Sequence, residues 1–149
     1  RGKVFRMGDV ERSRGCPYNC SYCTADYLHS IGTKPYREKD NERLIEELVY
    51  LKDKHNIGFF RFWDESFLLM SSEKLKRLSN LYVRYVNLPF VFETEAGSIT
   101  KEKASYLKRM GCVAVRIGVE TGNEWLRMKI LNKRTPNRVY KRPLKYCML

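Results

Sequence analysis

The stretch RGCPYNCSYC, Arg14 to Cys23, places three of the chain's five cysteines at the spacing C-x-x-x-C-x-x-C. Thiolates are soft ligands, so the question is what Cys16, Cys20 and Cys23 would hold. A zinc site takes four ligands, usually in C-x-x-C pairs. The remaining candidates, His29, Cys112 and Cys147, have no partner at such spacing. Three unrelated thiols are a second reading, and the crowding speaks against it. A third is a [4Fe–4S] cluster on three thiolates, which leaves one iron without a protein ligand. Catalytic metal sites keep an open position, whereas structural sites close it. Gly15 and Pro17 flank Cys16 and suit a tight loop around an anionic group.

Acids recur in the same manner, each after a short apolar run. Asp64 and Glu65 follow IGFFRFW, Glu93 and Glu95 lie in FVFETEA, and Glu120 closes CVAVRIGVE. These runs have strand length and β-branched or aromatic composition. Helix-period segments alternate with them. NERLIEELVYLKDKH aligns Leu44, Leu48 and Leu51 on one stripe, with Ile45 and Val49 beside it. SSEKLKRLSNLYVRYV does the same with Leu75, Leu78 and Tyr82, and a serine stands ready as N-cap. TKEKASYLKRMG predicts a helix capped by Thr100 and ended by Gly111. TGNE reads as a capping box from Thr121 to Glu124, opening a helix through Leu126 and Ile130.

With a strand expected around DVERSR before the cysteines, the alternation predicts an α/β fold of about four β/α units around a parallel sheet. The cysteine loop and every acidic cluster then fall at strand carboxyl ends, where such folds bind ligands. Arg116, inside the fourth strand, is expected to be buried and to pair with one of these acids or with a ligand's carboxylate. Cys112, Cys147, Trp63 and Trp125 read as core or rim residues.

The chain has 149 residues and 43% hydrophobic composition, enough for one domain with a real core. No apolar run nears the ~18 residues that would span a membrane. The first 15 residues are polar and basic, unlike a secretory signal, so the thiols are expected to be reduced in a cytoplasmic protein. The net charge of +12 is uneven: residues 125–149 hold eight Lys and Arg and no acid. A solvated helix face explains this run better than a nucleic-acid strip, since no aromatic alternation or recognition motif accompanies it. The start at Arg1 and the stop at Leu149 suggest a piece of a longer protein.

The loop CPYNCSYC, with Tyr22 just before the third cysteine, resembles that of the radical S-adenosylmethionine (radical SAM) enzymes. The similarity extends over YREKDNERLIEELVYLKDKHNIGFFRFWDESF and LKRMGCVAVRIGVETGNEWLRMKILNKRT. These look like segments of the branch that often carries an N-terminal cobalamin-binding domain. The resemblance implies a partial parallel (β/α) barrel of the radical SAM type, incomplete here because the superfamily core has about six units. It implies that Cys16, Cys20 and Cys23 each ligate one iron of a [4Fe–4S] cluster. The amino and carboxylate groups of S-adenosyl-L-methionine would chelate the fourth. An electron from a donor such as flavodoxin or ferredoxin would then break the sulfonium bond and give a 5′-deoxyadenosyl radical. Tyr22 would lie near the adenine. Asp64 and Glu65 take the place of a Gly-Gly-Glu-like stretch that meets the methionine amino group, although WDES lacks the glycines. Glu93, Glu95 and Glu120 would accept hydrogen bonds from the ribose or sulfonium side, and Arg116 would face the cofactor carboxylate or an acid. The implied reaction is methyl transfer or rearrangement of a small organic substrate. The alternatives are a methylthio-transferring RNA modifier, or a non-catalytic domain stabilised by zinc or an Fe–S cluster. NRVYKRPLKYCML aligns with a helix that Pro143 would break from inside, so either the helix starts near Pro143 or the tail is not native-like.

Overall fold

Four phenylalanines at alternate positions of two runs decide where the sheet faces its helices. Phe60 and Phe62 in one strand and Phe90 and Phe92 in the next are fully buried on the same side. The intervening Arg61, Val91 and Glu93 face the other side, as the two-residue period of a strand requires. The computed structural model describes residues 4–32 and 36–141. Pro143 and Cys147 lie outside the described residues, as does the side chain of His29.

The strands are β1 (Met7–Val10), β2 (Ser13–Arg14), β3 (Arg37–Glu38), β4 (Phe59–Phe62), β5 (Phe90–Glu93) and β6 (Cys112–Arg116). The helices are α1 (Thr24–Ser30), α2 (Asn41–His55), α3 (Ser72–Leu81) and α4 (Lys101–Met110). β1, β4, β5 and β6 form one parallel sheet in that order, and β2 pairs antiparallel with β3. Each step along the sheet is made through a helix, the construction parallel pairing demands. This is the expected α/β fold with four parallel strands.

The helices cover one face through the predicted stripes. Leu44 and Leu48 of α2, Leu75 and Leu78 of α3, and Leu107 and Met110 of α4 are buried against the phenylalanines. Phe67, just past β4, packs 4.9 Å from Phe62 and 4.8 Å from Phe92, between ring centroids. Tyr82 lies 5.2 Å from Phe90 and donates its hydroxyl to the Leu88 carbonyl, which satisfies its buried polar end. Ser71 caps α3 through Lys74 N, Thr100 caps α4 through Lys103 N, and Gly111 ends α4 in the left-handed conformation.

Several local expectations are refined. The strand before the cysteines is Met7–Val10, which overlaps the start of DVERSR at Asp9 and Val10 and pairs with Phe59–Phe62. Ser13–Arg14, at the end of that segment, pair antiparallel with Arg37–Glu38 across α1. The segment from Tyr82 to Val86 is a π turn continuing α3, closed by Asn87 in the left-handed conformation. β6 stops at Arg116, so Ile117 to Glu120 lie beyond the strand. The cap before Leu126 is Asn123, whose Oδ1 accepts from Leu126 N at 3.0 Å, while Thr121 Oγ1 accepts from Asn123 N. The short helix α1, directly after Cys23, had no apolar stripe to announce it.

Candidate functional site

Because the four strands run parallel and in near-level register, the segments leaving Val10, Phe62, Glu93 and Arg116 meet at one edge of the sheet. The cysteine loop is tied down there by an acid the sequence had offered to a ligand. Asp64 is buried, and its carboxylate accepts from Ser13 N at 2.7 Å, Arg12 N at 3.1 Å and the Ser13 hydroxyl. The Arg12 guanidinium lies 3.6 Å away and also reaches Glu38, Tyr36 and the Phe67 carbonyl. Burial pushes the Asp64 carboxyl up despite these donors. All its acceptor capacity faces the chain, so Asp64 aims the loop rather than opening onto solvent. Glu65 does related work from the exposed side: its carboxylate accepts from Gly15 N at 3.1 Å. Gly15 takes φ 85, a conformation that favours glycine, as the chain turns into Cys16.

Cys16 is buried at the loop's root, Cys20 is half-buried and Cys23 is exposed, all three as free thiols. Burial pushes the Cys16 thiol up, and the charges of Cys20 and Cys23 push it further. Cys20 is likewise raised by burial, with the Lys133 ammonium opposing. Thiols whose charges oppose one another need a cation to ionise together, and metal binding displaces their protons. Among the described residues no three His, Cys, Asp or Glu side chains converge as ligands of a single ion. A cluster asks something else of the loop: soft thiolates, each to its own iron. Three cysteines close in sequence, with no other described residue completing a set of four, fit that demand.

Beside Cys20 opens a cleft of about 500 Å³, lined by Tyr18, Cys20, Glu95, Ser98, Lys133 and Thr135 among others. That volume is in the range of small-molecule sites. Glu95 accepts from Gly97 N and the Thr135 hydroxyl on its wall. Glu120 accepts from Lys133 Nζ at 3.0 Å, which holds its carboxyl down against burial, and also from the Tyr22 hydroxyl. Burial and that hydrogen bond push the Tyr22 phenol up. Cys20 and Glu95 therefore line the cleft, while Tyr22 and Glu120 stand behind its wall, against Lys133.

Glu93 and Arg116 are placed differently. They form an ion pair on the sheet face opposite the helices. Arg116 is about half-exposed rather than buried, because β6 has no neighbour on its outer side among the described strands. Trp63 sits at the rim beneath two guanidinium groups, Arg61 at 4.1 Å and Arg116 at 5.2 Å from its ring. Trp125 is largely exposed and joins no core.

The residues that sequence reasoning missed lie in the basic run. Ile130 to Lys133 dock onto the cysteine loop: Ser21 N donates to Leu131 O at 3.1 Å, Ser21 Oγ to Ile130 O at 2.7 Å, and Asn132 Nδ2 to Asn19 O at 2.7 Å. Arg127 is buried, with its guanidinium on the Thr121 and Thr135 carbonyls and Asn137 Oδ1, and Tyr140 stacked at 4.7 Å. The run is thus no uniform solvated face. The signal available was a lack of acids, which says nothing about which cations turn inward.

No helix among the described residues is long and apolar enough to cross a membrane. The chain is 27% identical over 117 residues to an uncharacterized methyltransferase of Pyrococcus horikoshii, covering 78% of this chain and 25% of that protein. It is 24% identical over 125 residues to an anaerobic magnesium-protoporphyrin IX monomethyl ester cyclase of Rubrivivax gelatinosus, covering 83% and 22%. The chain thus spans about a quarter of the length of these curated relatives. Among solved structures it superposes with TM-score 0.79 on the radical S-adenosylmethionine methyltransferase TsrM of Kitasatospora setae, whose structure has cobalamin and a [4Fe–4S] cluster bound. The identity there is 20%, covering 97% of this chain and 29% of that one, which establishes a shared fold. The model of the Radical SAM superfamily matches residues 10–147, and the chain, with its three-cysteine loop at the carboxyl edge of a parallel sheet, belongs to that superfamily of enzymes.

Proposed function

We propose that this chain is the cluster-bearing part of a radical SAM methyltransferase-like enzyme. Cys16, Cys20 and Cys23 would hold a [4Fe–4S] cluster, and the cleft beside Cys20 would receive S-adenosyl-L-methionine. The observation that carries this reading is the joining of the loop and the cleft at the sheet's carboxyl edge, with Cys20 lining both. When bound, the cluster and S-adenosyl-L-methionine supply one-electron reductive cleavage of a sulfonium bond.

The chain's own residues divide the remaining tasks. Asp64 and Glu65 hold the loop's entry by its backbone N–H groups, and Asn132 and Ser21 hold its exit. Glu95 offers a carboxylate acceptor to ribose hydroxyls or the methionine ammonium at the cleft wall, Glu120 offers one from behind Lys133, and Tyr22 offers its ring to the adenine. Glu93 and Arg116, with Trp63, face a substrate on the open side of the sheet. The whole protein's reaction is methyl transfer or rearrangement of a small organic molecule, with cobalamin on another domain and a flavodoxin- or ferredoxin-type electron donor. Its methyltransferase relatives support this reading over RNA modification.

Anaerobic reconstitution with iron and sulfide tests the reading directly. About four irons per chain and a broad brown absorption band are expected, with 5′-deoxyadenosine released from S-adenosyl-L-methionine by the full-length protein under dithionite. A colourless protein that takes up zinc instead would end it.

A further inference from the structure

Lys133 turns its ammonium inward beside the cysteine loop. Its side chain is 11% exposed, and Nζ donates to Glu120 Oε1 at 3.0 Å. The Tyr22 hydroxyl lies 3.4 Å from the same ammonium, and it hydrogen-bonds both the Glu120 carboxylate and the Cys20 thiol. An ammonium, a carboxylate and a phenol are thus stationed within one side chain of a cluster ligand.

Three further features show that this arrangement is built in. Glu120 adopts φ 63, a left-handed backbone that is costly for a residue with a Cβ and collects at functional sites. At Gly118 a Cβ would collide with Glu120 Oε1 and come within 3.0 Å of Lys133 Nζ, so the glycine leaves room for the pair. The hydrogen bonds from Ser21 to Leu131 and from Asn132 to Asn19 lock the segment carrying Lys133 against the loop.

We propose that Lys133 and Glu120 are a charge pair that sets the reduction potential of the cluster held by Cys16, Cys20 and Cys23. The proposal rests on the radical SAM reading above. Reduction adds one electron to the cluster, and cluster potentials respond to nearby charge, hydrogen bonds and exposure. An ammonium beside Cys20 favours the reduced form, and a carboxylate at the same place favours the oxidised one. In a partly desolvated pocket such charges are weakly screened. Paired, they largely cancel. Removing either therefore exposes the other, and the two removals act with opposite sign.

The experiment compares Lys133→Met, Glu120→Gln, the double variant and Lys133→Arg in the reconstituted full-length protein. Each is titrated with dithionite under potentiometric control, read by absorption and by the magnetic resonance of the reduced cluster, with iron counted alongside. Lys133→Met is expected to shift the one-electron equilibrium toward the oxidised form by about tenfold, or about 59 mV. Glu120→Gln should shift it the other way by a similar factor, while the double variant and Lys133→Arg stay near the parent. Unchanged potentials at full iron content overturn the proposal. So do shifts of the same sign in both single variants, which is what mere loosening of the loop would produce. If Lys133→Met fails to fold, the sign of the Glu120→Gln shift decides alone. A parent chain that takes up no iron refutes the cluster reading itself, and this proposal with it.

Discussion

Asp64 Oδ1 accepts a hydrogen bond from Ser13 N at 2.7 Å across 51 residues of sequence, joining the end of β4 to the strand that leads into the cysteine loop. The same carboxylate is one of two anionic neighbours of the buried Arg12 guanidinium, the other being Glu38. Removing one member of a buried ion pair leaves the other without compensation, at a cost of about 3–5 kcal/mol. Asp64→Ala is therefore expected to lower unfolding stability in urea titrations by up to about that amount, since Glu38 still stands beside Arg12. Iron uptake should fall with it. A variant as stable as the parent would show that the remaining partners of Arg12 suffice.

Glu38 gives the fold a specific acid sensitivity. Burial opposes its ionisation, but hydrogen bonds from Lys74, Arg12 and Tyr36 outweigh that and hold its carboxyl down to about 2. The folded value lies below the ordinary 4.5, so the native state favours the charged form. The stabilisation is complete above about pH 4.5 and is lost as pH falls towards about 2. Glu38→Gln should flatten the stability profile through that window relative to the parent. Parallel profiles for the two proteins would refute the assignment.

Cys20→Ala is expected to abolish cluster incorporation, whereas Cys112→Ala is not. Cys112 begins β6, and its Sγ donates to the Ala114 carbonyl at 3.4 Å. Equal iron in both variants would contradict the three-thiolate assignment.

Arg127→Ala removes the clip that joins the Thr121 and Thr135 carbonyls to Asn137. Each buried acceptor left without a donor costs about 1–3 kcal/mol. Amide exchange at Ser21, whose N–H is bonded to Leu131 O, is expected to quicken well before global unfolding. Unaltered protection at Ser21 would mean that residues 130–133 hold the loop without the arginine.

Much of this was legible before any coordinates. Alternating phenylalanines announce strands, leucine stripes announce helices, and the three cysteines are a local pattern that spacing alone exposes. Thr100 and Gly111 mark both ends of α4 because caps act within a few residues. What stayed hidden depends on partners distant in sequence. An acid after a strand reads the same whether it meets a ligand or, like Asp64, a backbone 51 residues earlier. Lys133 and Arg127 look like any other cations of a basic run until their acceptors are placed. The antiparallel β2–β3 ladder pairs only two residues per strand, too few to leave a pattern.

The docking of residues 130–133 onto the cysteine loop also orders events in time. Those hydrogen bonds span 109 to 113 residues, while the Asp64 and Glu65 anchors span about half as many. Contacts of long sequence separation close late, because the loop they seal must first lose its freedom. During synthesis the chain emerges N-terminal end first, at about 5–20 residues per second. Cys16, Cys20 and Cys23 are thus outside the ribosome for several seconds before the segment that seats them exists. Through that interval the three thiols lack the segment that seats their loop, and on the proposed reading iron would be delivered only once residue 133 has arrived, or with the loop guarded until then.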